Sequence, residues 1–450
     1  MPPTESKTTL NSDRSSGYMQ FLILPLKMTA CWDFFPNSTI EWQIMTNDVY
    51  LGVVMFVLTY VPMILTVYLY TEWQDVMSSL ATIADYSPIS ISLIIVIYYA
   101  IYRQELYKLF EFMNENFKHH SARGLTNMTM DGSYNAALRF MRFYTSCTMF
   151  SVTMYALMPV IMHWWTKEPI QGWIYMDVTR SPFIEFVFLL SCATQLYVGL
   201  ALGQFGVFCA VNSILICGQL DLLCCSLRNV RYTALLQHGV KHAALVASYA
   251  NIRDDEKHTY IYSESELKES FYHYDQKVND AFVDGTSQYD IYSSDYDEAT
   301  AAALHDCAAL SQVVNKYKVM FENFVSPLLA MRVVQVTLYL CTLLYAATLK
   351  FDTRTVEYLG AVVLDIFVYC YHGNQIILQA DRVSTAAYHS LWYTMGVRPR
   401  RDLLNILLSN KRPLVVRAGK FMPIDLHTFV AIIKTSFSYY TLLVSVHEKK

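Results

Sequence analysis

Residues 183–217 read Phe-Ile-Glu-Phe-Val-Phe-Leu-Leu-Ser-Cys-Ala-Thr-Gln-Leu-Tyr-Val-Gly-Leu-Ala-Leu-Gly-Gln-Phe-Gly-Val-Phe-Cys-Ala-Val-Asn-Ser-Ile-Leu-Ile-Cys. One acidic residue and no basic one interrupt this run. A helix needs about 20 mostly apolar residues to cross roughly 30 Å of hydrocarbon. At about 1.5 Å per residue this run outlasts a bilayer, so the helix is expected to project beyond it on one side. Six further stretches read as spans, at 50–70, 82–102, 143–165, 328–349, 356–378 and 424–446. They are too long and unbroken for barrel strands, and lipid admits only helices or closed barrels. The fold class expected is an all-α membrane protein with seven transmembrane helices.

Composition agrees. Hydrophobic residues are 54% and charged residues 16% of the chain, against about 45–50% and about 25% in soluble proteins. With 34 Lys and Arg against 38 Asp and Glu, no basic surface for nucleic acid is expected. The ten cysteines are too dilute for a disulfide scaffold. The polar first twenty residues read as carrying no signal peptide. Phe21-Leu-Ile-Leu-Pro-Leu26 is too short to span and reads as a re-entrant or interfacial segment.

Positive charge sets the orientation. Of the 34 Lys and Arg, 26 fall in the N-terminus and the loops after spans two, four and six, and 6 fall on the opposite side. The N-terminus is therefore expected to be cytoplasmic and the C-terminus extracellular. The sequons at Asn37 and Asn127 then face the cytoplasm and are expected to stay unglycosylated. The chain divides into a cytoplasmic N-terminus (1–49), spans one to four (50–217), a cytoplasmic loop with helices (218–327), spans five and six (328–378), a cytoplasmic anchor segment (379–423) and a last span (424–450). Within the fourth loop, 254–298 carries 13 acidic residues, 3 Lys and 7 Tyr and reads as a solvated insertion. Leu403, Leu404, Leu407 and Leu408 share a helical face, which calls for burial in a cytoplasmic helical bundle made with partner subunits.

No Walker loop, GxSxG, HExxH or CxxC is present, so no catalytic residues, metal or cofactor are expected. His238 and His242 are read as surface histidines, and Cys224 and Cys225 as structural or free thiols rather than acylation sites. Charges inside spans are costly. Arg332 is expected to snorkel from the inner end of span five. Asp365 and Lys434 sit near mid-depth of their spans, where a direct pair would offset desolvation.

The last 85 residues carry a resemblance. Tyr369-Cys-Tyr-His-Gly-Asn374, Ala386-Ala-Tyr-His-Ser-Leu-Trp-Tyr393, Arg401-Asp-Leu-Leu404, Arg412-Pro413, Ala418-Gly419 and Phe429 follow one another in the order found in insect odorant receptors. Lys434-Thr-Ser-Phe-Ser-Tyr-Tyr-Thr-Leu-Leu443 is similar to that family's terminal Lys-x-Ser-x-Ser-x-x-Thr-Leu-Leu signature. Aligned with the gustatory Thr-Tyr-x5-Gln-Phe ending stand Ser438, Tyr439, Ser445 and Val446, so that signature fails, and Ser445 also departs from the co-receptor's Gln-containing tail. The chain therefore resembles an odorant-tuned subunit.

The resemblance implies a ligand-gated, non-selective cation channel in the plasma membrane of sensory neurons. It implies a heterotetramer with the odorant receptor co-receptor, a pore lined by the seventh span and a volatile odorant held in the outer half of the helices. Tyr439, Leu442 and Val446 fall on one face of the last span, where an apolar ring can gate by dewetting. An apolar, aromatic-lined and almost enclosed pocket is expected, assembled from Tyr86, Ser87, Met154, Tyr155, Met158, Phe186, Ser191, Tyr339, Tyr358 and Val362. Lipid, the odorant, permeating cations and the co-receptor are the partners implied. The rival reading is a metabotropic receptor coupled to a cytoplasmic transducer; neither Asp-Arg-Tyr after span three nor Asn-Pro-x-x-Tyr in span seven supports it.

Overall fold

The computed structural model describes residues 23–36, 38–71, 76–125, 128–166, 183–242, 244–245, 288–349 and 353–448. Both sequon asparagines, most of the acidic insertion and the start of the expected re-entrant segment fall outside them. The described helices are α1 (23–28), α2 (Glu41–Thr71), α3 (Val76–Ile101), α4 (Arg103–Asn116), α5 (Asp131–Thr166), α6 (Phe183–Gln237), α7 (Asp297–Leu349), α8 (Thr353–Tyr388), α9 (Val397–Ser409) and α10 (Leu426–Glu448). A two-residue antiparallel pair, β1 (Arg417–Ala418) and β2 (Met422–Pro423), precedes α10. Among the described residues, regular structure is helical apart from this pair and isolated bridges such as that between His120 and Thr129. By length and hydropathy, α2, α6, α7 and α8 could each cross a membrane, and α3 with α4 makes a fifth, bent candidate, among the described residues.

The longest apolar run becomes the central helix. In its most apolar window α6 is 83% buried, against 33% for α2, which leaves most of its surface for lipid. Small residues let the neighbours of α6 approach closely. A Cβ on Gly199 would lie 2.4 Å from Val152 Cγ2, and one on Gly203 would lie 2.9 Å from Thr148 Oγ1, so both seat α5 directly against the α6 backbone. Such small-residue seams substitute for a hydrophobic driving force within lipid.

Between α3 and α4 the chain bends by 68°. The N-terminal segment fills this elbow. Trp32 packs its ring 4.6 Å from Tyr107 and 5.0 Å from Phe110. Arg103 Nη1 donates to both oxygens of Asp33 at 2.9 Å, and Tyr107 donates to Asp33 Oδ2 at 2.7 Å.

Pro327 stands within α7, where it removes one N–H of the helical ladder. Neighbouring carbonyls find outside donors. Phe324 O accepts from the Tyr98 hydroxyl at 2.9 Å, and Ser326 O accepts from Gly419 N at 3.0 Å. Gly419 and Lys420 both have positive φ (59° and 67°), which makes the tight turn between β1 and β2. Asp425 Oδ1 then accepts from Thr428 N at 2.7 Å and caps the start of α10. Ser436 ties α10 to α7 again by donating to Thr337 O at 3.2 Å.

At the far end of α6 the fully buried Arg231 gathers the structure together. It donates to Ile291 O, Ser293 O, Thr300 Oγ1 and Asp297 Oδ1. Asp297 Oδ1 also accepts from Gly396 N at 3.1 Å, so one carboxylate joins the start of α7 to the start of α9.

On the anchor helix α9, Pro399, Leu403 and Ile406 are buried, whereas Leu404 and Leu408 are 53% and 50% exposed in the single chain. Cys224 and Cys225 are buried, and desolvation pushes the Cys224 thiol well up, which fits packing thiols. His238 packs edge-on against Tyr296 at 5.3 Å.

Asp221 lies on α6 just past the apolar run. Burial pushes its carboxyl up to about 6, with Arg382 offsetting part of the effect. A carboxyl raised in the folded state favours folding below its unfolded value, and that contribution is lost as pH rises through about 6. Asp221→Asn is therefore expected to raise the melting temperature of the detergent-solubilised protein at pH 7.5, with the gain shrinking as pH falls below 6. An equal gain at every pH would refute this assignment.

Candidate functional site

A cavity of about 600 Å³ opens among α3, α5, α6, α7 and α8. It lies toward the ends where α5 and α7 finish and α6 and α8 begin. Antiparallel connectivity brings Met154, Gln195, Tyr339 and Tyr358 to one level there. Its walls are mainly apolar: Pro88 from the kink of α3, Phe150 and Met154 from α5, Val198 and Leu202 from α6, and Val362 and Leu364 from α8. Gly199 and Gly203 expose bare backbone between them, so the same glycines that seat α5 also enlarge the chamber.

Four of the ten residues expected to touch ligand line this cavity: Met154, Tyr339, Tyr358 and Val362. Tyr339 packs with Leu343 in a small cluster, against which Tyr358, Leu359 and Val362 rest. Tyr86 and Ser87 sit half-buried on α3, one turn or less before Pro88, outside the lining. Ser191 is buried, and its hydroxyl donates to Val187 O on its own helix at 2.9 Å. Phe186 is 66% exposed and lies outside the lining of this cavity. A position early in a span fixes depth but not azimuth, and the glycine seam turns the other side of α6 inward. The side chains of Tyr155 and Met158 lie outside the described residues.

Deeper in the cavity stands an ion pair that corrects two readings. Arg332 does not snorkel: it is 3% exposed and donates through Nη2 to Asp365 Oδ2. Its Nη1 donates to Gln335 Oε1. Asp365 takes Arg332, not Lys434, as its partner, and Lys434 is exposed. Tyr144 completes the group by donating to Asp365 Oδ1 at 3.2 Å. Gly206 makes room for it; a Cβ there would lie 3.3 Å from Asp365 Oδ1 and 3.5 Å from the Tyr144 hydroxyl. Three helices, α5, α7 and α8, thus meet through one carboxylate against α6. The signal available in sequence was the pair of charges within spans. The missing information was helix rotation.

Of the expected gate residues, Tyr439 is 49% and Leu442 is 59% exposed on α10. The side chain of Val446 lies outside the described residues. No cluster of three or more His, Cys, Asp or Glu suited to a metal occurs among the described residues.

The site is thus a mainly apolar chamber within a helical bundle, with the Arg332–Asp365 pair neutralised internally at its deep end. Residues 74–437 match the family described as 7tm Odorant receptor. The chain belongs to that family. It is 24% identical over 340 residues to Odorant receptor 83a of Drosophila melanogaster, covering 74% of this chain and 72% of that one. It is 33% identical over 91 residues to Odorant receptor 94a of the same fly, covering 20% of this chain and 23% of that one. Its fold matches the insect olfactory receptor OR5 from Machilis hrabei with a TM-score of 0.70 at 15% identity, across 97% of this chain and 100% of the other. The same receptor in complex with eugenol matches with a TM-score of 0.68.

Proposed function

We propose that this membrane protein is an odorant-tuned subunit of a ligand-gated, non-selective cation channel, assembled as a heterotetramer with the odorant receptor co-receptor. It resides in the plasma membrane of sensory neurons, with a cytoplasmic N-terminus, seven spans and an extracellular C-terminus. The carrying observation is the cavity, where Met154, Tyr339, Tyr358 and Val362 converge. In this orientation it lies in the outer half of the bundle and receives a volatile ligand. The eugenol complex of the similarly folded receptor supports a small volatile ligand.

Two exposed apolar faces support the assembly. Leu404 and Leu408 on α9 offer a stripe to partner subunits within the cytoplasmic anchor. Phe437, Tyr439 and Leu442 on α10 face away from this chain's own core, as residues lining a shared pore would. The ligand must bind the open arrangement more tightly than the closed one, since equal affinity shifts nothing. Movement of α7 and α8 about the cavity reaches α10 through the Pro327 turn contact and the Ser436–Thr337 hydrogen bond.

Leu442→Ser and Val446→Ser, each expressed with the co-receptor, are expected to raise basal current or alter ion permeability. Wild-type basal current and permeability in both variants would place the gate elsewhere. Odorant-evoked current in excised patches without nucleotide triphosphate separates a channel from a transducer-coupled receptor.

A further inference from the structure

Gln195 lines the cavity from α6 and is 9% exposed. Its Oε1 is buried and has no hydrogen-bond partner among the described residues. An unmet amide oxygen in apolar surroundings is costly, and native structures rarely leave one without a reason. At the deep end of the chamber the other polar groups are largely committed to each other, the Arg332 Nε excepted. Asp365 accepts from Arg332 and Tyr144, Arg332 gives its second Nη to Gln335, and Thr148 Oγ1 donates to Tyr144 O at 2.9 Å.

Taking the cavity as the odorant site, we infer that it selects neutral volatiles bearing a hydroxyl group: the Gln195 carboxamide turns about its last side-chain bond so that Oε1, buried here, accepts the ligand O–H, while the apolar body rests against Met154, Leu202 and Val362. A hydroxyl both donates and accepts, so it satisfies the carboxamide in either orientation. Ethers and esters only accept and leave Oε1 unpaired. A carboxylate or ammonium ligand is disfavoured, because it would have to draw Arg332 or Asp365 from its partner and leave a buried charge alone. Leaving a buried acceptor unpaired weakens binding roughly five- to hundredfold.

The test compares primary alkanols with their methyl ethers of matched length, recorded as evoked current from the chain expressed with the co-receptor. In the wild type, the alkanols are expected to reach half-maximal effect at concentrations about tenfold or more below the ethers. Gln195→Leu keeps the volume and removes the polar atoms. It is expected to bring the two series within about threefold at unchanged surface density. Equal potency of the two series in the wild type, or an undiminished preference in the Leu variant, overturns the inference. Silence of the wild type to both series also overturns it. The reading of the cavity as the odorant site is decided separately, by the Val362 substitution below with any agonist. Should the Leu variant fail to reach the surface, the wild-type ratio alone decides.

Discussion

Arg332→Met is expected to abolish surface delivery and evoked current, and the double variant Arg332→Met/Asp365→Leu to recover most of both. The single change strands a carboxylate that is 6% exposed, with only Tyr144 still donating to it. Breaking a buried pair from one side costs about 3–5 kcal/mol, a large part of the roughly 5–15 kcal/mol that holds a typical folded protein together. Neutralising it can escape that cost, because an apolar replacement of both partners removes the demand for pairing altogether. Asp365→Asn should fall between the two, since an amide oxygen still accepts from Arg332. Surface labelling and melting of the solubilised protein provide the measurements. Additive losses in the double-mutant cycle would show that the two side chains act independently and would remove the pair from this account.

Val362→Trp is expected to raise the half-maximal odorant concentration by about a hundredfold or more, at normal surface density. Val362 borders the open chamber, so an indole there occupies the space a ligand needs instead of overpacking a closed core. Phe186→Trp is the matched control. Its ring points away from the bundle, so the added bulk meets lipid and potency should not change. Unaltered potency in Val362→Trp would sink the assignment of this cavity to odorant.

The contrast between these positions shows where sequence reading stops. Phe186 and Met154 share one feature in the sequence, an apolar side chain in the expected outer half of a span. Depth follows from chain position because a helix rises by a fixed increment per residue. Direction does not, since any residue of an apolar helix can face lipid, core or cavity. Gln195 is inconspicuous in the sequence for a related reason. One amide within a long apolar run looks like routine interhelical packing until the surroundings show that its oxygen is unmet. Beside Pro327, likewise, only the fold reveals that the turn before α10 docks, through Gly419 N and Lys420 N on Ser326.

By itself the sequence determined the helical class, the apolar stretches found within the helices, the family resemblance in the last 85 residues, and the requirement that a charge within a span find a partner. Each of these follows from local chemistry: hydrocarbon length, backbone satisfaction and the desolvation of ions. Tertiary structure alone decided that Asp365 meets Arg332 rather than Lys434, and that α6 turns Gln195 rather than Phe186 toward the cavity. Those choices depend on helix rotation. Rotation is set by where Gly199, Gly203 and Gly206 allow neighbours to close in, a property of packed surfaces that no single span contains.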